Sequence, residues 1–382
     1  MTRISLGETA KFINGAAFKP SDWEENGLPI IRIQNLTGTG ERFNYTTRKV
    51  KPDLVVEPGD LLVSWSATLD VYRWNGPRGL LNQHIFKVLP SPNVDPDYLF
   101  YALKSALSEL SAKTHGSTMK HVVRGDFEST RVLMPEPHEQ RRIVDILSRA
   151  EGIVRLRREA QKKAAELIPA FFLDMFGDPA TNPKGWPVSR IGDLGRVQLG
   201  RQRAPKYQTG AHTHPYIRVA NVYEDEIDIS DVLSMDFDSK DFAQYRLEYG
   251  DILLNEGQST ELVGRPAMWR DEIPDCCFQN TLIRFQPDSR RMIPEFALSA
   301  LLHYYRSGSL SQISSKTSNV AHLGAGRFSN LMLFWPPLDL QIKFSQRFEQ
   351  TRSIRIQQET AMAKAEATFD ALLSDVFSAS NG

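Results

Sequence analysis

Cysteine is almost absent from this sequence. The only two, Cys276 and Cys277, are adjacent, so they cannot staple a fold and offer no second pair of metal ligands. A reducing, cytoplasmic home is the expectation that follows. No apolar run approaches the roughly 20 residues of a membrane span, and the start Met1-Thr2-Arg3-Ile4-Ser5-Leu6-Gly7 lacks the character of a signal peptide. Charge of one sign is not in excess either: 46 basic side chains meet 46 acidic ones. That argues against a nonspecific polyanion binder, which is usually strongly basic. It leaves room for a binder whose positive charge is gathered on one face. Helix breakers are missing from two long stretches: Leu340 to Phe377 has no proline or glycine, and Glu139 to Phe176 has only Pro169 and Gly152. With apolar residues alternating three and four apart, each stretch predicts a helical rod of roughly 55 Å, at about 1.5 Å per residue.

Catalytic constellations are missing as well. Without a Gly-Lys dipeptide there is no phosphate-binding P-loop. Trp335-Pro336-Pro337-Leu338 has two prolines but lacks the flanking residues of an amino-methyltransferase motif, and Asp238-Ser239-Lys240 has no Pro-Asp pair suitably placed upstream to make a nuclease core. The eight histidines show no metal-ligand spacing, and Gly324 and Gly326 lack the third glycine of a dinucleotide fingerprint. The chain reads as a reader rather than a catalyst, with no cofactor of its own.

What is present is said twice. Ile143, Leu147, Ala164, Ile168 and Phe171 have counterparts 201 positions on in Phe344, Phe348, Ala365, Phe369 and Leu372, and the same offset maps His121 to His322 and Gln140 to Gln341. Pro29-Ile30-Ile31-Arg32-Ile33-Gln34-Asn35 is echoed by Pro215-Tyr216-Ile217-Arg218-Val219-Ala220-Asn221, and Pro58-Gly59-Asp60-Leu61-Leu62-Val63 by Tyr249-Gly250-Asp251-Ile252-Leu253-Leu254. So long a period is not that of a solenoid. It predicts two copies of one globular-plus-helix unit in an α+β fold: a globular region over 1–137, a long helix over 138–177, a second globular region over 178–338 and a second helix over 339–382. Short β-type runs are expected at Leu28 to Gln34, Asp60 to Trp65 and Ile85 to Leu89, and shorter helices at Asp97 to Leu103 and Glu295 to Tyr305. The shared seven-residue register predicts an antiparallel coiled coil between the two rods, relating the repeats by a pseudo-two-fold axis. Arg157, Gln161, Arg355 and Gln358 interrupt its seam.

Features suited to reading nucleic acid recur in both copies. Arg32, Gln34 and Asn35, and likewise Arg218 and Asn221, close a β-like run with the residue types that make bidentate contacts to guanine and adenine. The competing reading is that each Arg pairs with a nearby carboxylate and each Asn caps its turn. The loop holding Ser117, Thr118, Lys120 and His121, with its mate Lys316, Thr317, Ser318, Asn319 and His322, offers hydroxyls and cations suited to phosphates. Lys19 and Arg203 are counted with them. Seam residues Ile143, Leu147, Val154, Ile168, Phe171, Phe344, Phe348, Phe369 and Leu372 are expected to meet a partner as well as each other.

Over its whole length the chain resembles the specificity subunit of Type I restriction-modification systems. The resemblance is carried by Pro58-Gly59-Asp60-Leu61-Leu62 with Asn82-Gln83-His84 behind it, by Gly116-Ser117-Thr118, and by Pro135-Glu136-Pro137-His138-Glu139-Gln140-Arg141-Arg142-Ile143-Val144. The second copy departs at single positions, with Asp339-Leu340-Gln341 lacking the Glu before Gln and Gln279-Asn280 inverting the Asn-Gln order. The resemblance implies two target recognition domains, each reading half of a bipartite duplex DNA sequence and held apart by two antiparallel helices. It also implies that the chain has no enzyme activity. Adenine methylation would come from two modification subunits using S-adenosylmethionine, and ATP-driven cleavage from a restriction subunit. Two other readings stay open at this stage: a protein-interaction scaffold on a coiled coil, and a recognition module serving a methyltransferase-nuclease of another type.

Overall fold

The computed structural model describes residues 2–40, 42–66, 68–113, 124–204, 209–316 and 320–378. The chain divides into two compact units, 1–158 with 360–382 and 159–359, so that the division falls within both long helices.

In the first unit, Thr2–Ser5 pairs antiparallel with Arg131–Met134. A four-stranded antiparallel sheet runs in the order Ala10–Asn14, Ile85–Pro90, Leu61–Ser64, Asp70–Arg73. The run Leu61-Leu62-Val63-Ser64 is buried at every position, as a central strand covered on both faces should be. A second sheet, Asn44–Thr46, Leu28–Ile31, Gly79–Leu81, Val55–Val56, contains one parallel pair, Leu28–Ile31 with Gly79–Leu81. The helix Pro96–Lys113 buries Tyr98, Leu99, Tyr101, Ala102 and Leu103 in the core of this unit. The run expected at Leu28 to Gln34 stops as a strand at Ile31 and turns into the short helix Ile33–Thr37.

The second unit repeats this plan. Val188–Arg190 pairs with Met332–Phe334, and a four-stranded sheet runs Gly195–Leu199, Leu282–Pro287, Ile252–Asn255, Pro266–Met268. Leu233–Asp236, Thr213–Ile217 and Cys277–Phe278 form the counterpart of the second sheet, again with one parallel pair. The helix Pro294–Arg306 matches Pro96–Lys113.

The repeated motifs now have physical causes. Gly59 (φ +96°) and Gly250 (φ +91°) occupy backbone conformations that a side chain disfavours. The aspartate after each closes the turn, accepting from Glu57 N at 2.7 Å and from Glu248 N at 3.1 Å. Each also meets a cation from a neighbouring strand: Asp60 and Lys87 at 2.6 Å, Asp251 and Arg284 at 3.2 Å. Gly15 and Gly200 are required by close approach, since a Cβ there would lie 1.9 Å from Asn82 O and 2.3 Å from Gln279 C. The Asn82-Gln83 and Gln279-Asn280 blocks are therefore where another strand passes at backbone distance.

The long helices span Pro137–Phe176 and Leu338–Ser378. In the first unit Ile143, Leu147, Ala150 and Val154, early in the central helix, share a core with Phe369, Leu372, Leu373, Val376 and Phe377, late in the C-terminal helix. In the second unit Ile168, Phe171, Phe172 and Phe176 share a core with Phe344 and Phe348, so late now meets early. Within each unit, then, the two segments pack antiparallel, and each belongs to the core of the adjoining globular part. This corrects the expectation that the seam residues serve a partner. Ile143, Leu147, Ile168, Phe344, Phe348 and Phe369 are at most 9% exposed, and Val154, Phe171 and Leu372 pack on the same cores. The six buried side chains have no surface left to give, while Val154, Phe171 and Leu372 are half-buried. The seam arginine Arg355 also has an internal purpose, lying 3.8 Å from the buried carboxylate of Asp225.

A glutamine pins the start of each long helix. Gln140, 1% exposed, accepts from Asp95 N at 2.8 Å and donates to Pro135 O at 2.9 Å. Its mate Gln341, fully buried, accepts from Ile293 N at 2.8 Å and donates to Arg291 O and Pro336 O at 2.9 and 2.7 Å. The amide thus joins the helix start to the loop before the domain's own helix, which explains why glutamine stands in both copies. Gln341→Ala leaves three backbone groups unpaired, one buried and two part-buried, and is expected to cost about 1–3 kcal/mol. Thermal unfolding checks this, and a melting temperature equal to wild type would refute it.

No helix among the described residues is long and apolar enough to cross a membrane, and no group of three or more His, Cys, Asp or Glu among them could hold a metal ion.

Candidate nucleic-acid interface

The turn after Leu28–Ile31 holds Arg32, Gln34 and Asn35. The Asn35 side chain accepts from Arg32 N at 3.0 Å and donates to Gly40 O at 2.9 Å and Arg42 O at 3.4 Å. Its mate Asn221, 2% exposed, accepts from Arg218 N at 3.1 Å and donates to Asp228 O and Asp231 O, both at 2.9 Å. These amides are spent on their own turns. The assignment of Asn35 and Asn221 as base readers is therefore corrected to a capping role, because both N–H groups of each amide are committed and no donor is left for a bidentate contact to a base edge.

The two arginines differ. Arg218 pairs at the surface with the exposed carboxylate of Asp231 at 2.5 Å, a contact that Arg32 lacks. Arg32 lies instead over the ring of Trp23, 5.6 Å from its centroid, and Trp23 is 42% exposed. Among the described residues Arg32 has no carboxylate partner. Gln34 beside it is exposed, as are Lys19 and Arg203. Arg32→Ala is expected to relax sequence choice at one half of a DNA target by about 1–3 kcal/mol, as loss of a bidentate base contact does. Asn35→Ala should lower stability and weaken all sequences alike. The check is competition binding with single-base variants of the target, and equal behaviour of the two variants would contradict the assignment.

The second loop set is only partly in view. Ser117, Thr118, Lys120, His121, Thr317, Ser318 and Asn319 lie outside the described residues. Lys316 is exposed on Ser315–Lys316, which pairs with Ala321–His322. His322 Nδ1 faces Glu256 Oε2 at 3.1 Å, so its first partner is a carboxylate of its own domain. Arg327 joins the two strands by donating to Ser315 Oγ at 2.9 Å and His322 O at 2.6 Å.

One carboxylate fixes the loop at 209–213. Asp236 accepts from Thr209 N and Oγ1 at 2.6 Å each, Gly210 N at 3.0 Å, and His212 N and Thr213 Oγ1 at 3.2 Å. These donors, the Thr209 hydroxyl first, hold its carboxyl well below the usual carboxylate range.

A cluster absent from the expectations lies in the first unit. Lys11, Arg48, Lys49, Lys51 and Arg124 line one groove of about 600 Å³, with Asp53 as the single carboxylate among the described residues of its wall. The sequence carried a partial signal in Arg48-Lys49-Val50-Lys51, three cations in four residues. Lys11 and Arg124 join only through the fold.

The family described as "Type I restriction modification DNA specificity domain" matches residues 1–166. The Type I restriction enzyme EcoBI specificity subunit of Escherichia coli is 23% identical over 417 residues, covering 98% of this chain and 85% of that protein. The MjaVIII specificity subunit of Methanocaldococcus jannaschii is 29% identical over 197 residues, covering 50% of this chain and 45% of its own length. Among solved structures, the S subunit of a Type I restriction-modification system from M. genitalium aligns over 98% of this chain and 96% of its own, at a TM-score of 0.58 and 13% identity. A chain of the type I R-M system, solved in work on complex assembly and conformational transition, aligns over 98% and 97%, at a TM-score of 0.59 and 16% identity. The structural matches establish likeness of fold.

Proposed function

We propose that this chain, whose residues 1–166 match the Type I restriction modification DNA specificity domain, is a specificity subunit of a Type I restriction-modification system and that each of its two recognition domains reads one half of a bipartite duplex DNA target. The observation that carries this reading is the duplication itself: the same sheet order, the same glycine-aspartate turn and the same buried helix-start glutamine occur once in each unit. In this reading the chain performs no chemistry. Methyl transfer from S-adenosylmethionine belongs to two methyltransferase subunits, and ATP-driven cleavage to a restriction subunit. The long helices set the unread spacer and dock the methyltransferase subunits.

Exposed apolar residues support two docking places, one per repeat. Ile146, Ile153 and Leu156 are 39, 53 and 58% exposed early in the central helix, and Ile342, Ile354 and Ile356 are 45–46% exposed early in the C-terminal helix. Ile153 and Ile354 are repeat mates. They replace the buried seam as the surface a partner would cover. An interaction scaffold without nucleic acid is not favoured.

The test is to assemble the chain with its methyltransferase subunits, supply S-adenosylmethionine and a random-sequence DNA library, and sequence the methylated bases. One bipartite motif with a fixed unread spacer is expected. Methylation lacking a bipartite motif, or unchanged when the chain is omitted, overturns the reading.

A further inference from the structure

We propose that the basic groove of the first unit is a phosphate-binding track for the DNA backbone. The inference rests on the DNA-reading function and adds where one strand's backbone runs.

The groove lies where strand Ala10–Asn14 meets the segment following strand Asn44–Thr46. Five cations face one carboxylate among the described residues of its lining. Three of the five already have partners. Lys11 lies 3.5 Å from Asp53, Arg48 lies 3.3 Å from Asp22, and Arg124 lies 2.8 Å from Glu128. The cation of each pair is exposed, with side-chain exposures of 68, 46 and 56%, so each is a weak contact that a phosphate can displace. Lys49 and Lys51 are exposed and, among the described residues, have no carboxylate partner. The fold takes trouble to hold this edge open. Arg48 is fixed by donation to Ala17 O at 3.0 Å and by its place over Phe18, 5.4 Å from the ring centroid. Arg124 is fixed by donation to Phe12 O at 3.0 Å. Two anchored guanidinium groups and two free ammonium groups around a groove suit a run of phosphates better than a small anion, which needs a closed site with convergent donors. They carry no base selectivity, since phosphate contacts position and base contacts specify.

The second unit carries different side chains at the matching place. Its counterpart of Ala10–Asn14 is Gly195–Leu199, and its counterpart of Asn44–Thr46 is Leu233–Asp236. There the chain continues into the helix Ser239–Tyr245. That helix is clamped from the strand side, with Gln198 and Arg284 donating to Gln244 O at 3.4 and 3.0 Å, and Arg201 pairing with Asp241. A segment with three cations in four residues is matched by a helix with its own acidic first turn. The first unit has its own short helix there, Pro52–Leu54, tied by Lys87 donating to Val55 O at 2.8 Å, so the two copies share the scaffold and differ in the side chains it carries.

The experiment uses the chain assembled with its methyltransferase subunits, and a duplex carrying the motif that the assembly methylates. Affinity is measured against salt for wild type, for Lys49→Ala/Lys51→Ala, and for Asp53→Asn. Losing two phosphate contacts should reduce the log–log salt slope by about 1.8, at about 0.9 per contact, and leave the methylated motif unchanged. Asp53→Asn removes the groove's carboxylate and should tighten binding several-fold at low salt. A double variant with the wild-type slope, or Asp53→Asn binding no tighter than wild type, overturns the groove. A wild-type assembly that does not distinguish its motif from scrambled duplex instead overturns DNA reading itself, so the two failures are separable.

Discussion

Asp251→Ala is expected to destabilise the second unit by about 3–5 kcal/mol, because it leaves a buried guanidinium without its counter-charge. Arg284 and Asp251 have side chains 3% and 4% exposed, 3.2 Å apart. Burial pushes the Asp251 carboxyl up, with Arg284 opposing that shift, and burial pushes the Arg284 guanidinium down. Both partners are thus shifted toward neutrality, the mark of a pair whose desolvation outweighs its attraction. Such a pair is not a large source of stability intact, yet breaking it is costly. The rest of Arg284 is committed to Arg246 O, Gln198 and Gln244 O at 2.7, 3.0 and 3.0 Å, so it cannot swing out to water without undoing those bonds. The mate pair provides the control. Lys87 and Asp60 are 11% and 23% exposed, and lysine reaches solvent by a flexible stem, so Asp60→Ala should cost about 1 kcal/mol. Denaturant unfolding of the two variants measures the difference. Equal losses would show that burial does not govern the pair.

Phe172→Ala should cost a comparable amount, about 3–5 kcal/mol. Phe172 is 2% exposed and sits among four other rings, with centroids 5.4 Å from Phe176, 5.5 Å from Phe296, 6.4 Å from Phe334 and 5.7 Å from Phe344. Those rings come from the central helix, the domain helix, the strand before the C-terminal helix, and the C-terminal helix itself. Truncation leaves a cavity that four rigid elements cannot jointly close. Against a total stability of about 5–15 kcal/mol for a domain, such a loss should leave the second unit partly unfolded near 37 °C while the first unit still melts at its own temperature. Ile153→Ala should do the opposite, hardly moving the melting curve and weakening methyltransferase-subunit binding. Calorimetry of each variant decides. A Phe172→Ala protein with wild-type unfolding would mean that this cluster does not hold the helices to the domain.

The duplication was legible because its residues answer to packing: the glycine-aspartate turn, the helix-start glutamine and the apolar seam recur wherever the fold recurs. The seam's periodicity showed which face of each rod is buried but not what buries it. It therefore pointed to a partner where the structure has Tyr98, Tyr101 and Phe296 of the rod's own domains. Arg32 and Arg218 look alike in sequence. What separates them is a carboxylate thirteen positions beyond one of them, Asp231, and an indole nine positions before the other, Trp23. Asn35 and Asn221 were open to two readings because an amide serves a turn or a base equally well until its hydrogen bonds are seen. The basic groove was hidden because Lys11, Arg48 to Lys51 and Arg124 come from three distant segments of a chain with no net charge.

The central claim is that each repeat reads its own half-site. The direct measurement is to exchange residues 180–335 for the matching region of a relative with a different target, assemble the chain with the same methyltransferase subunits, and sequence the methylated bases. The account predicts a motif in which one half-site is replaced by the relative's, while the other half-site is unchanged. A motif altered in both halves, or in neither, would contradict it.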